Sequence, residues 1–314
     1  MSSARRWRCL SARRLPEDWL AQLPGVLEDE PLAPHSWYGI GGRARYFTEL
    51  SDDRDLHELV ARLNAERQPY LVIGAATNTL FAAAELPGLT IKLATSRLEI
   101  NDDTISVSAG YLMPRLAAEA ARAGLAGLEF AAGVPGSVGG SVFGNAGAFG
   151  GEVKDRLISV EALDDQGARV TIDAVECAFG YRESVFKRAR LGWIILGARF
   201  RTDHDSPGAV RARLLEVQKH RRATQPIEQR SLGSTFKNPP GDSAGRLIDT
   251  AGLKGRRIGG AQISAKHANF IVNLGGANAD DVLALMAEMR QRVFERFGVE
   301  LEPEIRVVGR TTAG

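Results

Sequence analysis

The residues best suited to chemistry lie in a run that mixes glycine with apolar side chains: Phe130-Ala131-Ala132-Gly133-Val134-Pro135-Gly136-Ser137-Val138-Gly139-Gly140-Ser141-Val142-Phe143-Gly144-Asn145-Ala146-Gly147-Ala148-Phe149-Gly150-Gly151. A flexible linker is solvated Gly and Ser. Here valine, phenylalanine and alanine alternate with glycine, so the run reads as buried backbone packed close against something large. Glycine permits positive φ and removes the Cβ that holds a ligand off the main chain. Successive free N–H groups in such a turn form an anion-binding concavity. A tight glycine-rich turn inside a core has the same composition, and the residues alone leave both readings open. The run contains no G-x-x-x-x-G-K-[ST], which excludes a Walker-type phosphate loop. The dinucleotide fingerprint G-x-G-x-x-G fails too: Gly133-Val134-Pro135-Gly136 has the wrong spacing and a proline where a helix would begin. A second loop of small residues, Gly74-Ala75-Ala76-Thr77-Asn78-Thr79-Leu80, follows the apolar run Tyr70-Leu71-Val72-Ile73. The end of a buried strand is a place where ligands often sit.

The surrounding pattern supplies elements to position these loops. Leu56, Leu59, Val60 and Leu63 recur at helical spacing, with Ser51 or Asp52 as cap and Gln68-Pro69 as stop, and predict a helix ending near residue 66. Strands over 43–50, 70–73 and 89–93 complete a β-α-β unit. Short alternating strands follow over 98–100, 104–108, 158–163, 169–172 and 193–200, with turn signals at 101–103 and 164–167 and a helix over 114–123 stopped by Gly124. Residues 202–208 read as a linker. Beyond them come helices over 209–222, 244–251 and 279–297 and strands over 258–263, 268–273 and 301–308. The last helix sets Val282, Leu285, Met286, Met289 and Val293 on one apolar face. A short amphipathic helix is expected over 16–27, with Trp19, Leu20 and Leu23 on one side. The organisation expected is a basic extension over 1–30, two parts meeting near residue 95, and a last part after about residue 205.

Composition narrows the classes. The 314 residues are 44% hydrophobic and 25% charged, enough for a sizeable core and for two or three domains. A net charge of +2 gives no general argument for nucleic acid as a partner. Cys9 and Cys177 have no C-x-x-C spacing, so neither a disulfide framework nor a zinc site is expected, and no other metal site is read. No apolar run approaches a membrane span. Residues 1–14 carry five arginines without the apolar segment of a secretory signal and read as a basic arm. A reducing, cytoplasmic setting is expected.

Five ordered blocks carry a resemblance to a known family. They are Ile40-Gly41-Gly42; the loop from Gly74 to Leu80; the run from Gly133 to Gly150; Tyr181-Arg182-Glu183-Ser184-Val185-Phe186-Lys187; and Gly233-Ser234-Thr235-Phe236-Lys237-Asn238-Pro239. Two further matches are Ala251 to Ala261 with Lys266-His267-Ala268-Asn269-Phe270-Ile271-Val272-Asn273, and Glu304-Ile305-Arg306. Each block is weak alone; together, in this order, they are specific. Over about residues 30 to 310 the chain resembles the flavin-dependent UDP-N-acetylenolpyruvoylglucosamine reductases, also called UDP-N-acetylmuramate dehydrogenases, of peptidoglycan synthesis. The short distance from Arg182 to Ser234 is similar to the compact second type of that family.

The resemblance implies an α+β fold: a two-part FAD-binding domain of the vanillyl-alcohol-oxidase kind (31–95 and 96–205), then an α+β substrate-binding domain (206–314). It implies non-covalent FAD, NADPH as co-substrate and a UDP-amino sugar bearing an enolpyruvyl ether as substrate. Flavin contacts would come from Gly41, Gly74, Ala75, Ala76, Thr77, Asn78, Gly133, Pro135, Gly136, Ser137, Gly139, Gly140, Asn145, Ala146 and Gly147. Arg182 would face the substrate carboxylate, Glu304 would help there as a protonated hydrogen-bond donor, and Ser234 would give the proton to the α-carbon. Tyr181, Lys237, Asn238 and His267 would lie at the nucleotide-sugar.

Plainer roles stand beside these. Arg182 can be a surface cation near Glu183, Ser234 a helix or turn cap, Glu304 a solvent-facing strand residue and Asn238 a turn residue before Pro239. His35, His57, His204 and His220 have no partner spacing. The chain also departs from the family. Gly74-Ala75-Ala76-Thr77-Asn78 replaces the usual Gly-Gly-Gly-Ser-Asn, and two added methyl groups would hold a pyrophosphate slightly away. Gly144 and Leu232 replace residues of other size, and His35-Ser36 matches loosely. A diverged paralogue on another nucleotide-sugar and a non-catalytic nucleotide-sugar sensor are the alternatives. An oxidase with histidine-tethered flavin is disfavoured, because the glycine-rich run holds no histidine.

Overall fold

The computed structural model describes residues 15, 23, 25–54 and 56–309. The expected basic arm over 1–14, Cys9 and most of the helix expected over 16–27 lie outside them; residue 27 opens a strand, Leu27–Pro31. The chain forms two compact units interleaved in sequence. One is Met1–Glu30, Ala44–Ala75 and Pro87–Lys219; the other is Pro31–Arg43, Ala76–Leu86 and His220–Gly314.

The first unit has two larger sheets and two two-stranded ones. Four strands lie in the order Leu27–Pro31, Arg43–Leu50, Glu85–Leu93, Tyr70–Ile73. Tyr70–Ile73 runs parallel to the strand beside it, with Tyr70 opposite Leu89 and Ile73 opposite Lys92. The helix Leu56–Ala65 buries Leu56, Val60 and Leu63, one face at the predicted spacing. It ends where Arg67 turns left-handed (φ 53°) and Gln68 N–H reaches back to the Leu63 carbonyl. Five antiparallel strands form the second sheet, in the order Arg169–Asp173, Leu157–Leu163, Ile194–Arg201, Thr104–Ser108, Leu98–Asn101. Both predicted turns are present. Asp102 is left-handed (φ 51°), and Asp164 Oδ1 accepts the N–H groups of Gln166 and Ala168. The helix Met113–Arg122 buries Met113, Leu116, Ala117, Ala120 and Ala121 and stops at Gly124, as read.

The second unit packs the helices Ala244–Thr250 and Ala279–Phe297 with an antiparallel sheet in the order Arg230–Ser231, Ile271–Asn273, Ala261–Ile263, Arg257–Ile258. All five residues expected on the apolar face of the long helix are buried. Asn278 and Asp281 close a capping box at its start, and Gly298 (φ 68°) ends it.

Several sequence expectations are corrected. Residues 202–208 are not a linker: Asp203–His204 pairs with Leu125–Ala126, Arg156 binds Asp203, and Pro207 opens the helix Pro207–Thr224. The run 258–263 is two strands, because Gly259 (φ 52°) and Gly260 turn between them; a Cβ on Gly260 would overlap the Ala277 main chain. Only Ile271–Asn273 of the 268–273 run is strand, since Phe270 N–H closes a turn onto the His267 carbonyl. Only Arg306–Val308 of 301–308 is strand, and it runs parallel to Thr79–Phe81, a strand that begins inside the loop expected over 74–80. The strand expected to start at residue 89 starts at Glu85, because Gly88 (φ 75°) bends the chain over Pro69 instead of ending it.

That bend generates a prediction. A Cβ at Gly88 would overlap the Pro69 carbonyl oxygen and force an L side chain into the left-handed region. Gly88→Ala is expected to lower unfolding free energy by about 2–4 kcal/mol, strain and overlap together. Urea unfolding followed by circular dichroism checks this; an unchanged midpoint would contradict it.

Candidate functional site

In the first unit the two small-residue loops meet. The turn after Thr104–Ser108 lies along the glycine-rich run: Val138 N–H donates to the Tyr111 carbonyl (2.8 Å), Gly139 N–H to Ala109 (2.9 Å), and Met113 N–H to Gly136 (2.9 Å). Gly110 N–H in turn donates to Thr95 Oγ1 (3.0 Å). Gly74, at the end of Tyr70–Ile73, lies so close to Ser137 that a Cβ would overlap the serine hydroxyl. A Cβ on Gly139 would come within 2.9 Å of Ala109 Cβ. These two glycines are therefore required by close packing. Gly140 is not: its Cβ would meet only Ser137 Oγ, at 3.5 Å, so internal packing does not account for the glycine. A cradle of glycines, one of them facing open space, beside a buried serine hydroxyl fits a pyrophosphate in close main-chain contact. Ala76, one of the added methyl groups, adopts φ 47°, a conformation that costs a non-glycine residue about 1–2 kcal/mol.

Asn145 is the pivot of the run. It is fully buried and left-handed (φ 42°). Its Nδ2 donates to Glu152 Oε2 (2.9 Å) and to the Gly180 carbonyl (2.9 Å), and its Oδ1 accepts Lys154 N–H (3.0 Å). Gly180 begins the turn that carries Tyr181 and Arg182, closed by reciprocal bonds between Gly180 and Glu183 of 3.1 and 3.2 Å. Arg182 is also left-handed (φ 56°). Its guanidinium donates to the carbonyls of Gly147 (2.9 Å) and Asn145 (3.4 Å) and lies 5.2 Å from the Tyr181 ring centre. Glu183 meets Arg188 (3.3 Å).

In the second unit Ser234 and Glu304 sit on adjoining chains. Glu304 N–H donates to the Thr235 carbonyl (2.9 Å) and Lys237 N–H to Glu302 (2.8 Å), with Phe236 bridged to Pro303. Asn78 Nδ2 donates to the Glu304 carbonyl (3.1 Å), and the Asn78 carbonyl accepts Arg306 N–H (2.9 Å). The Asn78 side chain, read from sequence as a flavin contact, thus anchors the Glu304 segment. Ser234 is half-buried and caps no helix; the cap of the next helix is Ser243. Gly233 before it is left-handed (φ 77°), and a Cβ there would meet nothing within 4 Å. Lys237 reaches Glu302 (2.6 Å), and Asn238 Oδ1 accepts the Ala244 N–H (3.1 Å) at the start of the next helix. His267 Nδ1 accepts Asn269 N–H (3.3 Å), which assigns the ring proton to Nε2 in the neutral form, and the ring packs edge-on to Phe270 at 4.8 Å. Burial, and then the Lys254 charge, hold the His267 pKa below its ordinary value. Three residues to which the sequence reading gave no role support this machinery: Glu152, Ser184, whose hydroxyl donates to the Phe143 carbonyl (2.7 Å), and Asn269. Asn269 stood inside a matched block, but nothing in its position signalled a role.

Comparison with known proteins places this geometry. The family model described as FAD binding domain matches residues 44–173, and that for the UDP-N-acetylenolpyruvoylglucosamine reductase C-terminal domain matches residues 225–308. The UDP-N-acetylenolpyruvoylglucosamine reductase of Rhodopseudomonas palustris (strain HaA2) is 43% identical over 96% of this chain and 98% of its own length. That of Rubrobacter xylanophilus (strain DSM 9941 / JCM 11954 / NBRC 16129 / PRD-1) is 44% identical over 91% of this chain and 96% of its own. The crystal structure of UDP-N-acetylenolpyruvylglucosamine reductase from Thermus caldophilus superposes with a TM-score of 0.76 at 39% identity, over 90% of this chain and 97% of that one.

His267 supplies a pH prediction. Its folded pKa lies below the unfolded value near 6.5, so the unfolded state binds its proton first. The stability this histidine contributes is present above that value and is lost as pH falls through it towards the lower folded pKa. His267→Gln is expected to flatten the fall in stability below about pH 6.5 relative to the parent. Thermal midpoints across pH 5 to 8 on both proteins check this, and parallel curves would contradict it.

Proposed function

Because the chain belongs to the UDP-N-acetylenolpyruvoylglucosamine reductase family, we propose that it reduces the enolpyruvyl ether of UDP-N-acetylglucosamine enolpyruvate to UDP-N-acetylmuramate, with NADPH as reductant. The setting would be the cytoplasm, in the supply of peptidoglycan precursors; among the described residues no helix is long and apolar enough to cross a membrane. The observation that supports the reading is the joining of the Ser234 and Glu304 segments through Thr235, which sets a hydroxyl and a carboxyl on adjoining stretches of chain. Bound FAD would supply hydride chemistry, taking hydride from NADPH and giving it to the β-carbon of the ether.

The chain's own groups then act on the substrate. Negative charge develops at the α-carbon and spreads into the carboxylate, and it must be met by donors fixed in advance. Arg182 offers a planar fork whose orientation is set by the Gly147 and Asn145 carbonyls. Glu304, in its protonated form, donates to the same carboxylate. Ser234 gives its proton to the α-carbon; a hydroxyl is a weak acid in water but serves as a relay beside a carbanion held near a cation. Gly74, Ser137 and Gly140 line the pyrophosphate cradle with Gly133, Pro135, Gly136, Gly139, Ala146 and Gly147 around it. Tyr181, Lys237, Asn238 and His267 contact the nucleotide-sugar.

Two tests follow. Purified protein is expected to be yellow and to release its flavin as FAD on acid precipitation, since no histidine of the run tethers it. Colourless protein that also fails to take up FAD would overturn the enzyme reading in favour of the nucleotide-sugar sensor. In stopped-flow work, Ser234→Ala is expected to leave flavin reduction by NADPH near the parental rate, because that step needs no proton from serine. Reoxidation by the enolpyruvyl sugar is expected to slow about a hundredfold or more, the scale for loss of a positioned acid. Arg182→Lys is expected to impair the same half-reaction, because a point charge cannot replace the fork. Parental reoxidation in Ser234→Ala would assign the proton to another donor.

A further inference from the structure

The segment that carries Ser234 is held by one side chain in an unusual way. Asn269 is buried (2% exposed), as is Phe236 (0%). Its Oδ1 accepts Phe236 N–H (3.0 Å) and its Nδ2 donates to the Phe236 carbonyl (2.8 Å). Its own main-chain carbonyl accepts Thr235 N–H (2.7 Å). The fourth main-chain group, the Thr235 carbonyl, accepts Glu304 N–H (2.9 Å). Every polar main-chain atom of Thr235 and Phe236 is therefore used, three of them by Asn269.

No regular strand does this. Phe236 and Pro303 form a non-hydrogen-bonded antiparallel pair, flanked by the Glu304–Thr235 and Lys237–Glu302 bonds, so the Phe236 N–H and carbonyl point to the other side, where no strand lies. The nearby strand Ile271–Asn273 begins two residues after Asn269. The primary amide substitutes for the missing strand: one donor and one acceptor, side by side, match one residue's carbonyl and N–H. Left unmet in a buried place, those groups would cost the segment its geometry.

We propose that Asn269 is the positioning residue for proton delivery, clamping Thr235-Phe236 so that the Ser234 hydroxyl is held in register with Glu304. This rests on the reading of Ser234 as the proton donor. Asn269 takes no part in hydride transfer and touches neither substrate nor cofactor in this role; it acts through the main chain one residue beyond Ser234.

The test is a kinetic double-mutant cycle on the flavin-loaded full chain, with the two half-reactions followed separately. Asn269→Ala is expected to leave flavin reduction by NADPH within about twofold of the parent and to slow reoxidation by the enolpyruvyl sugar by about tenfold to a hundredfold, the cost of a misplaced group. The double variant Ser234→Ala/Asn269→Ala is expected to reoxidise no more slowly than Ser234→Ala alone, because a clamp has nothing to position once the hydroxyl is gone. A general structural role would slow both half-reactions and multiply with Ser234→Ala. Asn269→Asp gives an independent readout. Its buried carboxyl, facing the Phe236 carbonyl, favours the neutral form. Protonated, it restores both bonds; ionised, it repels the carbonyl. Reoxidation by Asn269→Asp, relative to the parent at each pH, is therefore expected to recover as pH falls, and this variant decides the matter if Asn269→Ala does not fold. Parental reoxidation in Asn269→Ala, full multiplication in the double variant, or an Asn269→Asp to parent ratio flat with pH would each overturn the clamp while leaving Ser234 as donor. Parental reoxidation in Ser234→Ala would remove the donor, and the clamp with it.

Discussion

A buried amide must satisfy its own hydrogen bonds, and in the glycine-rich run that obligation falls on Asn145. The residue is out of contact with water, so each polar atom it carries needs a protein partner. Its side chain finds Glu152, Gly180 and Lys154, and its main-chain carbonyl receives the Arg182 guanidinium. Those partners come from segments that share no sheet. The chain leaving the short helix Val138–Phe143 is therefore joined to the Tyr181-Arg182 turn by a side-chain amide bond and not by a ladder. Two left-handed residues, Asn145 and Arg182, are held in place by this set of bonds, which offsets their strain.

The second unit solves a similar problem by similar means. Asn269 completes Thr235-Phe236, and Asn78 completes the Glu304 segment. Both amides serve chains that lie outside regular strands and so lack a ladder partner on one side. Primary amides suit this because they carry a donor and an acceptor on one short, rigid arm. Regular strands would bury the same main-chain groups but would also fix the chain direction, and a functional loop cannot always have that direction.

Much of the fold was legible in the sequence. The helices Leu56–Ala65, Met113–Arg122 and Ala279–Phe297 follow from apolar spacing and glycine or proline stops, which are local signals. The strand over 258–263 is broken by a turn that a distant neighbour dictates, Ala277 against Gly260, and residues 302–304 pair with Thr235–Lys237 through a single bridge instead of extending the strand Arg306–Val308. Propensity carries no information about such partners. The candidate site shows the same division. Glycine spacing pointed to the cradle, and the family resemblance supplied Arg182, Ser234 and Glu304. Asn269 and Glu152 stayed hidden, because their contribution consists of hydrogen bonds to residues far away in the chain, and nothing next to them marks it.

The parallel pairing of Thr79–Phe81 with Arg306–Val308 bears on the order of events during biosynthesis. The segment leaving the Gly74–Asn78 loop is translated early, yet the strand it pairs with emerges only after both helices of the second unit. Until then its edge is open, with unpaired amides available to any other extended chain. A nascent polypeptide can bury much of the first unit's core while this edge waits, so the ribosome holds a half-made protein with an open strand edge beside its ligand loop. Trigger-factor-like holdases, or rapid synthesis of the downstream part, would suppress misassembly at that edge.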